Sequence, residues 1–213
     1  MEPADLEARV RRVLSEARDL GFLGPGPISP HIDHARGYVD AVRASGLRGD
    51  PDTFLDLGSG GGLPGLVLAS EWPDARGVLL DAGERRAEFL RHAVDECGLD
   101  GRIEVVEGRA EQTGHDPAWR AGFDVVAARS FGRPAVTAEC AAGFLRVGGV
   151  LVVSEPPART AAERWPDGPL TALGMSAADQ VRGRFGYRVV AQETLCPERF
   201  PRRVGVPAKR PLF

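Results

Sequence analysis

Leu55-Asp56-Leu57-Gly58-Ser59-Gly60-Gly61-Gly62-Leu63-Pro64-Gly65 is the stretch on which the fold turns. The apolar run Thr53-Phe54-Leu55-Asp56-Leu57 reads as a strand. It ends in glycines, and these open a helix over 64–71 that has a proline in its first turn. Glycine lets the backbone turn tightly and lets a ligand come close to the chain. Taken alone, such a turn is an ordinary strand-to-helix connection or a cradle for a pyrophosphate. Two details narrow the choice. The lysine of the GxxxxGK[ST] phosphate loop is missing, which disfavours nucleotide hydrolysis. The spacing Asp-x-Gly-x-Gly-x-Gly also differs from the GxGxxG of dinucleotide binders, and an acid ahead of the first glycine suits a cationic ligand.

Outward from this motif, strands alternate with helices. Apolar runs at 77–81, 102–106, 123–127 and 149–153 read as strands, and 84–97 and 134–145 read as helices. The alternation predicts an α/β, Rossmann-like, mostly parallel twisted sheet. Because the strands are nearly continuous in apolar residues, helices should cover both faces. Upstream, 3–20 has helical spacing of Leu6, Val10, Val13, Leu14 and Ala17, and a second helix is expected from Pro30 to about Ala44, capped by Ser29. Residues 1–52 are therefore expected as an N-terminal helical extension and 53–213 as the ligand-binding domain. Residues 154–184 read as irregular, with a short helix near 159–164. A late strand at 187–191 is expected to pair as an antiparallel hairpin with 179–181.

The chain has 213 residues, suiting one domain with a modest extension. A formal charge of -3 excludes a protein that coats nucleic acid indiscriminately. That mild total hides an asymmetry: residues 199–213 carry +5 and residues 1–198 carry −8. Lys209 is the only lysine, so phosphate contacts fall mainly to arginine, which pairs phosphate bidentately. Cys97, Cys140 and Cys196 are far apart, form no CxxC pair and read as buried small hydrophobes; neither a structural zinc site nor a disulfide framework is expected. The start Met1-Glu2-Pro3-Ala4-Asp5 is unlike a signal peptide, and no apolar run is long enough to span a membrane. The expected compartment is cytoplasmic.

Three further strand ends carry residues suited to a ligand. Asp81 closes the second strand, where an acid accepts hydrogen bonds from ribose hydroxyls; it is also a candidate N-cap for the helix over 84–97. Gly108-Arg109-Ala110-Glu111 follows the third strand and Ala128-Arg129-Ser130-Phe131 the fourth. All are expected at the C-terminal edge of the parallel sheet, where such folds bind ligands.

The glycine motif with its preceding acid resembles the first motif of class I S-adenosylmethionine (SAM) methyltransferases. A narrower resemblance rests on Leu63-Pro64-Gly65, on Arg109-Ala110-Glu111 and on Arg129 directly after the fourth strand. It also rests on the ending Phe200-Pro201-Arg202-Arg203-Val204-Gly205-Val206-Pro207-Ala208-Lys209-Arg210-Pro211-Leu212. Over roughly 53–213 the chain is similar to the RsmG (glucose-inhibited division protein B) family. That resemblance implies a SAM-dependent enzyme that methylates N7 of a guanine in small-subunit (16S) ribosomal RNA, with rRNA or the small ribosomal subunit as partner. Carried over residue by residue, it implies cofactor contacts from Gly58, Leu63, Ala110, Glu111 and Arg129. Asp56 and the loop that includes Gly60 would lie beside the methionine part, with Asp81 at the ribose. Phe131 is the aromatic chosen to stack on substrate, and Arg202, Arg203, Lys209 and Arg210 are the candidate RNA contacts.

Neutral guanine N7 carries a lone pair and no proton, so the implied reaction needs no general base. His31 and His34, at i and i+3 on a predicted helix, are the base candidates if the acceptor is instead a hydroxyl or an acidic carbon. Trp72, Trp119 and Trp165 are assigned to packing. The chain departs from the family pattern in two places. The usual Asn-Leu-Thr segment and Arg-His pair are replaced by Gly21-Phe22-Leu23-Gly24-Pro25-Gly26-Pro27 with His31 and His34 nearby. Where the family has Lys-Gly after the fifth strand, this chain has Ser154-Glu155-Pro156-Pro157. Both fall where substrate is expected, so a small-molecule methyltransferase of specialised metabolism on the same scaffold stands as the second reading.

Overall fold

The computed structural model describes residues 3–155, 164–182 and 184–213. Its centre is a seven-stranded sheet in the order β3-β2-β1-β4-β5-β7-β6. The strands are β1 (Thr53–Leu57), β2 (Arg76–Asp81), β3 (Ile103–Glu107), β4 (Phe123–Ala128), β5 (Leu145–Glu155), β6 (Met175–Arg182) and β7 (Gly186–Gln192). β1 to β5 pair in parallel, and β7 runs antiparallel to both β5 and β6. The chain reverses direction across the sheet at β1 and β4, which lie side by side, and this leaves a crevice at their C-terminal ends.

Side-chain alternation along the strands assigns the two faces. Phe54, Leu79, Val125, Ala127, Val150 and Val152 point into one core; Leu55, Leu57, Val78, Leu80, Val126, Ala128 and Leu151 point into the other. The first core is covered by α1 (Pro3–Asp19), α2 (Ile28–Ala44), α3 (Gly65–Glu71) and α4 (Glu84–Glu96). The second is covered by α6 (Pro134–Ala142), α7 (Asp167–Ala172) and the C-terminal segment, with the short α5 (Ala110–Thr113) and α8 (Val206–Lys209) at its margin. Helices on both faces explain why the strands lack polar alternation.

The N-terminal helices are built into this architecture. Leu6, Val10, Val13, Leu14 and Ala17 of α1 and Ile32, Ala35, Val39 and Val42 of α2 share one continuous core with β1, β2 and β4. Tyr38 adds a polar tie, donating from its hydroxyl to the carbonyl of Ala128 at 2.9 Å.

Several expectations change. α2 begins at Ile28 with Pro27 as its uncapped N-cap residue, and the hydroxyl of Ser29 instead accepts from Arg11 Nη1 at 3.0 Å. Asp81 is not the N-cap of α4. Gly83 occupies that position, and Asp81 Oδ1 accepts its backbone N–H at 2.8 Å. Part of the stretch expected to be irregular is ordered, as α7 and the long strand β6, whose hairpin with β7 extends well past the expected 179–181 pairing. The helix expected near 159–164 lies outside the described residues, save Arg164.

Candidate functional site

Four chain segments converge on a cleft of about 820 Å³ at the C-terminal edge of the parallel strands. They follow β1, β2, β3 and β4. Gly58, Gly60, Leu63, Asp81, Ala110, Glu111, Arg129 and Phe131, all expected at a site from sequence, line it together. Such a volume lies within the range of ordinary small-molecule sites.

The glycine loop owes its course to left-handed backbone at Gly58 (φ 74°) and Gly60 (φ 58°), which side chains with a Cβ resist. The backbone N–H groups of Gly58 and Ser59 both donate to the carbonyl of Leu80, tying the loop to the end of β2. Asp56 holds the loop from behind. It is fully buried and does not line the cleft. Its Oδ2 accepts from Ser59 Oγ at 2.7 Å and from the backbone N–H of Gly65 at 2.8 Å, while Oδ1 has no partner among the described residues. Burial pushes this carboxyl up to about 6, against the two hydrogen bonds that lower it. The expectation that Asp56 lies beside a ligand is thus replaced by a role in shaping the loop.

Asp81 stands at the cleft with only 5% of its side chain exposed. Oδ2 accepts from the Gly60 N–H at 2.9 Å; Oδ1 accepts from Gly83 N–H and from Arg86 Nε, each at 2.8 Å. Glu111, equally buried, accepts through Oε1 from the Gly205 N–H at 3.0 Å and from Arg109 Nη2 at 3.2 Å. Burial alone would raise its pKa; the Gly205 and Arg109 contacts outweigh that and lower it. Glu111 therefore anchors the C-terminal segment to the cleft wall.

Arg129 bridges the cleft to α2. Its Nη2 lies 2.8 Å from Nδ1 of His31, and its buried Nη1 has no partner among the described residues. Because a guanidinium only donates, Nδ1 of His31 is an acceptor and the ring proton sits on Nε2. Burial first, then the Arg129 charge, lowers the His31 pKa. His34 lines a different, second cleft, packed against Tyr38, Phe185 and Tyr187. Burial and then Arg129 and His31 bring it down to about 4. The two histidines do not form one base site.

The C-terminal basic residues separate into two kinds. Arg202 donates from its backbone N–H and Nε to Glu139 Oε1 and from Nη2 to Oε2, all within 2.8 Å, and Glu139 is fully buried. Arg202 is thus a structural counter-ion, contrary to its expected place at substrate. Arg203, Lys209 and Arg210 are exposed, as is Arg199, whose guanidinium lies over the Phe200 ring. None of these four lines the main cleft; Arg199 and Arg203 border a peripheral groove with Glu111 and His115. Trp72 and Trp165 are buried, as expected of packing residues.

Phe22, Leu23 and Gly24 belong to the segment expected near substrate but were not singled out as site residues; they close one end of the cleft from the α1–α2 loop. The loop sits so close that a Cβ on Gly61 would meet Leu23 Cδ2 at 2.8 Å. Two apolar residues inside a glycine- and proline-rich loop were the available signal. Arg86 and Arg133, both at the cleft, gave none. Among the described residues, no cluster of three or more His, Cys, Asp or Glu is placed to hold a metal ion, and no helix is long and apolar enough to cross a membrane.

The family model for GidB, rRNA small subunit methyltransferase G, matches residues 36–156, from within α2 to the end of β5. A protein from Leuconostoc mesenteroides named ribosomal RNA small subunit methyltransferase G is 34% identical over 176 residues, covering 78% of this chain and 72% of its own. The chain belongs to the rRNA small subunit methyltransferase G family. A relative of the same name from Syntrophomonas wolfei is 31% identical and covers 88% of this chain and 87% of its own. Membership makes the chain a methyltransferase. Solved structures show the same fold. An O-methyltransferase from Bacillus cereus in complex with SAH superposes with a TM-score of 0.63 at 18% identity, over 87% of this chain and 91% of its own. The O-methyltransferase TomG from Streptomyces achromogenes, in complex with SAM, gives 0.58 at 20% identity, over 85% and 90%. The fold is that of class I SAM-dependent methyltransferases, as expected.

The donor set of the cleft fits a cofactor of that kind. It offers a buried carboxylate for hydroxyl donors at Asp81 and apolar walls at Leu80, Ala110, Val136 and Leu63. Phe22 and Leu23 cover the far end.

Proposed function

We propose that this chain transfers a methyl group from SAM to N7 of a guanine in small-subunit (16S) ribosomal RNA, in the cytoplasm. One observation carries the reading. Residues from the tips of β1, β2, β3 and β4, including every quoted stretch of the family resemblance, border a single cleft, which the C-terminal run reaches through Ala208. SAM, when bound, supplies a methyl group activated by its sulfonium.

The chain's own residues bind and orient. The glycine loop leaves room for a ligand against the backbone. Asp81 Oδ2 retains an acceptor site for a ribose hydroxyl, and Oδ1 gains one when the half-exposed Arg86 side chain turns outward. Leu80, Ala110 and Val136 would suit the adenine, and Leu63 and Phe131 would face the methionine part. No residue needs to take a proton from N7, so the chemistry rests on alignment and on accommodating the charge that moves onto the base. This matches a site in which His31 Nδ1 is already engaged and His34 is held neutral in another cleft.

An RNA acceptor is supported by exposed basic side chains around the openings. Arg86, Arg109 and Arg133 border the main cleft, Arg184 the second, and Arg199, Arg203, Lys209 and Arg210 the C-terminal side. Such groups position a phosphate backbone without reading sequence. The test is transfer of labelled methyl from SAM to small subunits, or their RNA, from cells lacking this enzyme. Label in rRNA supports the reading. SAM binding without any RNA label removes it and leaves the small-molecule reading.

A further inference from the structure

Beyond Phe131 lies the second cleft, of about 450 Å³. It shares Arg129, Ser130, Phe131 and Gly132 with the main cleft and ends against Glu155, Arg164 and Trp165. The two spaces are thus neighbours across one strand tip. Glu155 is the last residue of β5, and its side chain is only 4% exposed. Its Oε1 accepts from Trp165 Nε1 at 2.9 Å, and its Oε2 is paired with Arg164 Nη1 at 2.8 Å. A buried carboxylate is costly unless its charge and lone pairs are satisfied. Here one cation and one indole N–H hold it rigidly at the end of the cleft. Each carboxylate oxygen has two acceptor sites, and among the described residues one on each oxygen is left for a ligand.

We propose that Glu155 reads the target base, accepting hydrogen bonds from the N1–H and the exocyclic amine of guanine while N7 faces the main cleft. This rests on the proposed function and names the group that selects the base. N7 lies on the five-membered ring, and the N1–H and 2-amino group lie side by side on the Watson–Crick edge of the six-membered ring. A guanine that enters the second cleft with N7 toward the shared wall turns two adjacent donors toward Glu155. Adenine presents an acceptor at N1 and no 2-amino group, so a fixed carboxylate repels it. Pyrimidines have no N7. The base must leave its stack to enter, and a buried site that then finds its donors missing discriminates strongly.

The experiment measures labelled methyl transfer by wild type and Glu155→Gln on small-subunit RNA, with SAM affinity and Tm determined on the same samples. Glu155→Gln keeps the side-chain shape and an acceptor for Trp165 but loses one of the two acceptors a guanine edge needs. The expected result is a kcat/KM for RNA lowered at least tenfold, carried mainly by KM, with SAM affinity within twofold of wild type. On the substrate side, once the labelled guanine is mapped, RNA assembled with hypoxanthine at that position lacks only the 2-amino group. Wild type should lose at least tenfold on it, and Glu155→Gln should lose less than threefold. Transfer by Glu155→Gln within twofold of wild type, or wild-type indifference to the missing amine, overturns this assignment alone. A wild type that labels no guanine overturns the proposed function and this assignment together.

Discussion

Arg129 at the tip of β4 and His31 on α2, 98 residues apart in the chain, are joined at 2.8 Å between a guanidinium nitrogen and Nδ1. The contact makes the N-terminal helices part of the cleft. It also fixes the neutral ring with its proton on Nε2, because protonation of Nδ1 would remove the acceptor that Arg129 has there.

His31→Ala is expected to weaken SAM binding by roughly two- to tenfold, the size of one ordinary net hydrogen bond of about 0.5–1.5 kcal/mol. His31 loses its acceptor as it takes a proton, and its pKa is below the ordinary 6.5. SAM affinity should therefore be level from pH 8 to 6.5 and fall at lower pH, and His31→Ala should flatten that fall. Calorimetric titrations across this range check both; an unchanged pH profile in the variant would rule the contact out as a determinant.

Asp56 shapes the loop from behind and gives a different pattern. Asp56→Ala leaves the Gly65 N–H and the Ser59 hydroxyl unpaired in a buried place, and SAM affinity should drop at least tenfold. Asp56→Asn keeps an acceptor and should stay within a few-fold of wild type. The carboxyl is shifted up to about 6, so the folded state binds more protons than the unfolded one between about pH 4 and 6. Its contribution to stability falls as pH rises through that window. Melting curves should show Asp56→Asn gaining on wild type between pH 4.5 and pH 8; a constant difference would contradict the assignment.

Gly58 and Gly60 share a left-handed backbone but differ in surroundings. A Cβ on Gly58 would meet the Phe131 ring at 2.6 Å, whereas on Gly60 the nearest atom is 3.9 Å away. Gly60→Ala should cost about 1–2 kcal/mol, the strain of that backbone alone. Gly58→Ala should cost more and displace Phe131, so methyl transfer should suffer beyond the loss in stability. With about 2–4 °C of Tm for each kcal/mol in a chain of this size, thermal melting resolves the two. Equal losses would show that Phe131 yields freely.

Arg202 and its exposed neighbours should separate by assay. Removing Arg202 strands the buried Glu139 carboxylate, and Arg202→Ala should lose about 3–5 kcal/mol of stability. Arg203→Ala, Lys209→Ala and Arg210→Ala together should leave Tm nearly unchanged and weaken RNA binding. The slope of log affinity against log salt should fall by about 1 for each phosphate that the variant no longer neutralises. A triple variant with wild-type slope would show that the tail does not touch RNA.

The parts of the fold that were legible from sequence are those where one local signal suffices. β1, β2, β4 and β5 are apolar because helices bury both their faces, and the glycine loop announces the turn that builds the cleft. β6 carries Met175-Ser176-Ala177-Ala178-Asp179-Gln180-Val181-Arg182 at the sheet edge, with no apolar run to mark its full length. α7 is a single short turn containing Gly168 and Pro169, both poor helix signals. Site residues were named individually where they follow strands, whereas Phe22 and Leu23 were legible only as part of a segment expected near substrate. Partner choice was the hardest to read. That Arg202 neutralises Glu139, that Asp56 faces the loop's back, and that Glu155 is pinned by Trp165 are facts of three-dimensional packing that no spacing encodes.

The most direct test is to incubate the purified chain with labelled SAM and small ribosomal subunits from cells lacking it, digest the RNA to nucleosides, and identify the labelled product by mass and chromatography. Label in N7-methylguanosine is the result expected. Label in another nucleoside, or none in RNA from a protein that binds SAM, would contradict the assignment.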